Sequence, residues 1–114
     1  YLWTTYRTPC VTAKAFSAGG IAVGAALNRS PELFCGAIFV NAFLDLKGTM
    51  SRPDLPLTEH EWQEWGNPVD DDDRAASLIS SICPVSNIEA KDYPPVLLVG
   101  ATDDQNVPFQ NALE

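Results

Sequence analysis

The chain has 114 residues, with 7 Lys and Arg against 15 Asp and Glu, for a formal net charge of −8. Hydrophobic residues make up 46% and charged residues 19%, a globular composition rather than a disordered one. The acidic balance argues against nucleic acid and anionic membrane as partners, and no apolar stretch approaches the roughly 20 residues of a membrane span.

Tyr1 to Tyr6 reads as the end of a helix, broken at Thr8-Pro9. Val11 to Phe16 is a short apolar run with β-branched residues, the pattern of a buried strand. Ser17 to Gly20 (SAGG) is a sharp turn, and Ile21 to Arg29 is an Ala-rich buried helix ended by Asn28 to Pro31. Gly36 to Asn41 is a second buried strand. This β-turn-α-β order predicts parallel strands covered on both faces, hence an α/β sheet. Residues 42–58 read as a long polar loop. Thr58 followed by Glu61 is a capping box, which predicts a short helix from Glu59 to the Gly66-Asn67-Pro68 breaker. Trp62 and Trp65 are expected to pack this helix onto the core. Asp70 to Ser81 reads as a helix with acids at its positive end and Ala75, Leu78, Ile79 and Ile82 on one face. Val96 to Ala101 is a third buried strand, followed by Asp103-Asp104. Pro108 suits the first turn of a further helix.

The charge is uneven. Residues 1–52 hold five bases and two acids, whereas residues 53–114 hold two bases and thirteen acids. Such an excess reads as a solvated face. Four consecutive Asp (Asp70 to Asp73) lack the alternation, glycine turn and later glutamate of a calcium loop, so no metal site is expected there. Cys10, Cys35 and Cys83 are odd in number and widely spaced, with no C-x-x-C. They suit neither a disulfide framework nor a zinc site, and three free thiols suit a reducing compartment, which makes the cytoplasm the expected location. No basic and apolar leader is recognisable. The chain starts at Tyr1 and stops soon after Pro108, and it is expected to be part of a longer one.

In an α/β sheet, reactive groups collect where strands end. Phe16-Ser17-Ala18-Gly19-Gly20 lies between a buried strand and a buried helix, where a nucleophile elbow would put an exposed serine among small residues. Ala15 takes the place of the first glycine of G-x-S-x-G. The Ala18 N–H and the helix start would face a developing oxyanion. A tight turn entering a helix would leave the same letters. Asp103 follows a later strand, in the Ser-then-acid order of such enzymes, with Asp104 as its adjacent competitor and a plain turn as the alternative for both. His60, the sole histidine, falls between serine and acid in an acidic helix and reads as a surface residue.

These residues also carry a family resemblance. Pro9 to Gly20 (PCVTAKAFSAGG), Asn28 to Leu33 (NRSPEL), Phe43-Leu44-Asp45, Thr49-Met50, Leu55 to Thr58 (LPLT), Glu64 to Pro68 (EWGNP) and Asp103 to Pro108 (DDQNVP) resemble the catalytic domain of the prolyl oligopeptidase family of serine peptidases, nearest its oligopeptidase B branch. The resemblance implies an α/β-hydrolase fold, of which residues 1–114 form a central to late part, with a β-propeller upstream and the catalytic histidine downstream. It implies Ser17 as nucleophile, Ala18 N–H as oxyanion donor and Asp103 as acid, with no cofactor or metal. Gln105 stands where family peptidases often have a substrate-binding arginine, and glutamine offers neither the charge nor the fork. The implied substrate is a short peptide. An esterase or thioesterase is the alternative chemistry, and a non-catalytic partner-binding protein the alternative class.

Overall fold

The computed structural model describes residues 1–69 and 73–113. Its centre is a parallel sheet in the order β1 (Thr12–Phe16), β2 (Gly36–Val40), β3 (Val96–Val99). The register puts Phe16, Val40 and Val99 level with one another, so the three strands end together. A short exposed helix, α1 (Leu2–Tyr6), precedes β1.

The crossover from β1 to β2 is α2 (Gly19–Arg29), which starts two residues earlier than its apolar run. It buries Gly20, Ile21, Gly24 and Leu27, the spacing of a single helix face. Leu27 joins Ala15, Ala37, Phe39, Ala42 and Leu44 in the first core cluster. The small strand residues Ala15 and Ala37 let the helix approach the sheet closely. Among the described residues β1 and β2 are covered on the α2 face alone. On the opposite face Phe16, Leu97 and Val99 are exposed, and exposed Val96 and Leu98 leave β3 open on the α2 face as well. The expectation of strands covered on both faces therefore holds only for one face of β1 and β2.

A second cluster forms around Ile21 of α2 and Phe43, with Leu46, Met50, Ile79 and Cys83. Its helices are α3 (Leu46–Met50), α4 (Thr58–Trp65) and α5 (Asp73–Ile82). The stretch read as a loop over 42–58 contains α3, whose N-cap Asp45 accepts from Gly48 N–H at 2.8 Å. Its apolar spacing, Leu46 and Met50, is too short to be legible against the surrounding polar letters. The Thr58–Glu61 capping box does not form. Thr58 is the first helical residue, and its hydroxyl donates to the Thr49 carbonyl at 3.2 Å. Trp62 Nε1 donates to the Met50 carbonyl at 3.0 Å. α4 thus supplies a partner for the Met50 carbonyl and a further one for the Thr49 carbonyl, which also accepts from Arg52 N–H at 3.0 Å. In α5, Ala75 and Ile79 are buried, but Leu78 is exposed, because Cys83 rather than Leu78 continues the buried stripe. Of the Asp70–Asp73 run only Asp73 lies within the described residues. Pro108 opens a single 3-10 turn, Phe109–Ala112, instead of a longer helix.

Cys10 and Cys35 are joined as a disulfide with Cα atoms 5.4 Å apart, while Cys83 is free and buried. Cys35 immediately precedes β2, and Cys10 lies two residues before β1. Pairing Thr12 with Gly36 brings them side by side despite a separation of 25 residues. The cysteine count therefore no longer speaks for a reducing compartment. No helix among the described residues is long and apolar enough to cross a membrane.

The buried Asn111 joins the last turn to the centre. Its Oδ1 accepts from Leu44 N–H at 2.8 Å and Asp45 N–H at 2.7 Å. Removing that oxygen strands two donors, one of them buried, at about 1–3 kcal/mol. Asn111→Ala in the intact protein is expected to lower the urea midpoint accordingly, and an unchanged midpoint would show the two amides find other partners.

Candidate active site

Ser17 sits directly after β1 with φ 50°, one of three non-glycine residues at positive φ among those described. An L-residue enters this region only when its surroundings hold it there. Three backbone hydrogen bonds do so. Ser17 N–H donates to Val40 O at 3.3 Å, and Ser17 O accepts from Gly20 N–H at 2.9 Å and Phe43 N–H at 2.8 Å. The strand is thereby turned abruptly into α2, and the serine side chain reaches a cleft beyond the strand ends. That cleft is lined by Ser17, Ala18, Phe43, Met50, Thr58, Glu61, Asn106 and Val107, among others. Ala18 is the N-cap of α2, and the helix has no carbonyl of its own for that N–H. An oxyanion beside Ser17 would meet this donor and the positive end of an eleven-residue helix.

The small residues have distinct jobs. A Cβ on Gly19 would meet nothing within 4 Å, whereas one on Gly20 would lie 2.7 Å from Phe43 O and 2.9 Å from Phe43 N. Gly20, not the glycine of the S-x-G pattern, is the point of closest approach. Ala15 is buried in the core cluster.

The acid loop follows β3. Asp104 Oδ1 accepts from Asn106 N–H at 2.8 Å and Val107 N–H at 2.9 Å. These amides, Val107 first, hold its carboxyl below the usual carboxylate range. Asp103 is exposed, and among the described residues no hydrogen bond fixes its carboxylate. Gln105, assigned to substrate, instead turns its amide to the Asp103 carbonyl at 3.1 Å. Asn106 is the residue of this loop that lines the cleft together with Val107. His60 is exposed on α4 and is not part of the lining.

Two residues escaped the sequence reading. Glu61 was grouped with a solvated acidic face, yet it is half-buried, lines the cleft and accepts from Trp65 Nε1 at 3.1 Å. The LPLT–EWGNP signature flanking it was the available signal. Asn106 carries no sequence signal of its own, since its place in the cleft lining depends on how the loop turns.

Parallel strands that end together, a serine in a left-handed strand-to-helix turn, and a carboxylate loop after a later strand define an α/β-hydrolase arrangement. Comparison with known proteins narrows the class. A sequence profile of the prolyl oligopeptidase family matches residues 11–114. The chain is 41% identical over 109 residues to prolyl endopeptidase-like of Xenopus laevis, covering 95% of this chain and 15% of that protein. Oligopeptidase B from Leishmania major superposes with TM-score 0.88 at 33% identity, over 96% of this chain and 15% of its own. Oligopeptidase B from Trypanosoma brucei, solved in a closed form with covalently bound antipain, gives TM-score 0.79 at 38% identity, over 85% and 13%. The chain belongs to the prolyl oligopeptidase family and spans about 15% of the length of these relatives.

Gly20→Ala is expected to push Phe43 away from Ser17 and to cost about 1–3 kcal/mol. In the intact protein both the denaturant midpoint and the rate of fluorophosphonate labelling should fall. Retention of both would show that Phe43 can yield without disturbing the serine.

Proposed function

We propose that this segment carries the nucleophile and the acid of a serine peptidase that cleaves short peptides through an acyl-enzyme, within a larger catalytic domain. The observation that carries the reading is Ser17 at φ 50°, clamped by Val40 and Phe43 and opening into a cleft. Ser17 Oγ attacks the scissile carbonyl while a histidine from elsewhere in the intact chain takes its proton. Ala18 N–H stabilises the oxyanion. The histidine then protonates the departing amine, and water releases the acyl group by the same route.

The acid comes from the Asp103–Asp104 pair. The resemblance favours Asp103, and the geometry favours Asp104. A triad acid must be fixed in place and keep one oxygen for the imidazole. Asp104 meets this through two amides on Oδ1, leaving Oδ2 for the histidine. Its depressed pKa keeps it ionised in the folded protein throughout the neutral range, and that ionisation is lost only as pH falls below the ordinary Asp range. The acid limb of activity should therefore report the histidine, near about pH 6.5 before the carboxylate raises it.

In the intact protein, Ser17→Ala is expected to abolish fluorophosphonate labelling. Asp104→Asn should lower kcat by about 10³–10⁴-fold and Asp103→Asn by less than about tenfold. A larger loss at Asp103 would return the acid role to it. Labelling that survives Ser17→Ala would sink the nucleophile assignment, and a parent protein that does not label would leave the non-catalytic, partner-binding class standing.

The cleft also bears on substrate. Glu61 is the charged side chain among its lining residues, so a cationic peptide side chain is favoured over an anionic one. Glu61→Gln is expected to cut kcat/KM about tenfold for peptides with Arg at the cleaved bond and to leave a neutral ester unaffected. Equal effects on both would mean that Glu61 acts only through the packing of α4. A second chemistry follows from Asn106 and Gln105, neither of which offers the cleft a guanidinium. An ester or thioester needs less help with its leaving group, and a peptide-to-thioester turnover ratio below one would favour that reading.

A further inference from the structure

We infer that Asn41 is a positioning residue that fixes the distance between the nucleophile elbow and the acid loop. The inference rests on the serine-peptidase reading above. Phe16, Val40 and Val99 are level across the sheet, so Ser17, Asn41 and Gly100 are the first residues past the three strand ends. Asn41 turns there into the left-handed region, with φ 42°. Asparagine is among the few side chains that tolerate this conformation.

The turn has two consequences at once. It redirects the chain so that Phe43 N–H reaches Ser17 O at 2.8 Å, next to the rung from Ser17 N–H to Val40 O. It also interrupts the ladder with β3. Asn41 N–H still donates to Val99 O at 2.7 Å, but the next donor on the β3 side, Ala101 N–H, is taken up by Asn41 Oδ1 at 3.0 Å. A side-chain carbonyl thus continues a ladder that the backbone has left. Ala101 is the first residue of the loop whose carbonyl accepts from Asp104 N–H at 3.4 Å, and that loop carries Asp103 and Asp104. One residue therefore sits between the two bonds that clamp Ser17 and holds the root of the acid loop. Asn41 is not among the residues lining the cleft, and among the described residues no hydrogen bond joins it to either carboxylate, so its effect passes through backbone placement. Misplacement of about 1 Å between catalytic groups is enough to cost around 10²-fold.

The test uses the intact protein. Asn41→Gly keeps access to positive φ and removes the acceptor, while Asn41→Asp keeps both shape and acceptor oxygen. With a p-nitrophenyl ester substrate, Asn41→Gly is expected to lower kcat about 10- to 100-fold with KM within twofold, and Asn41→Asp to recover kcat to within about threefold of the parent. Hydrogen exchange at the Ala101 amide should accelerate in Asn41→Gly and not in Asn41→Asp. A kcat within twofold of the parent in Asn41→Gly overturns the inference, as does a loss confined to KM or an Ala101 amide whose exchange is unchanged. Failure of the serine reading is seen separately, in a parent protein that labels no differently from Ser17→Ala.

Discussion

The site depends on where the parallel strands stop. β1, β2 and β3 end level with one another, and past that line one further backbone rung holds each of the first two chains before they turn away. Ser17 is caught by Val40 O and Phe43 N–H, and Asn41 by Val99 O. Among the described residues, two of the three non-glycine residues at positive φ lie on this line. Left-handed backbone is costly for an L-residue and persists where neighbouring bonds over-determine it. The strain is placed where it turns a strand end into a half-buried serine that lines the cleft.

The helices after β2 give that serine its surroundings. α3 is a single turn of five residues that would not persist alone, since short helices draw their stability from tertiary contacts. It is held at its start by Asp45 and Asn111, and at its end by Thr58 and Trp62. Because α4 caps α3, the face of α4 that bears Thr58 and Glu61 is brought to the cleft. Packing and site are thus the same interaction seen from two sides. Phe43 shows this most directly. Its ring lies in the second core cluster, its amide clamps Ser17, and its backbone is what Gly20 leaves room for.

The three strands and α2 are legible in the sequence because apolar runs are local signals, and the family is legible in its motifs. What the sequence hid was decided by contacts across the chain. α3 has too few letters to show a period, and its stabilising partners lie up to 66 residues away. The letters of Thr58 read as a cap, but the helix already includes it, with Leu57 as N-cap, and its hydroxyl is turned to the Thr49 carbonyl of α3. Cys10 and Cys35 became neighbours only through strand pairing. Asp103 and Asp104 are adjacent and chemically identical. Only the direction of two amides, from Asn106 and Val107, separates them, and no pattern of letters records that direction.

The acidic surplus has a similar lesson. Of the described acids after residue 52, Asp54, Glu59, Glu64, Asp73, Glu89, Asp92 and Asp103 are exposed, as a solvated face requires. Glu61 and Asp104 are the two that are not, and both belong to the cleft or its loop. A net charge therefore says little about the cleft, because Glu61 and Asp104 are the partly buried acids among those described and each accepts from a donor. The opposite imbalance appears on the sheet, where Phe16, Leu97 and Val99 expose an apolar face. Such a face is stable only against further structure. It fits a chain that spans about 15% of the length of its relatives, and it puts the covering on the side of the sheet away from α2. The cleft at the strand ends is independent of that covering, since its walls come from α2, α3, α4 and the acid loop, all within these residues.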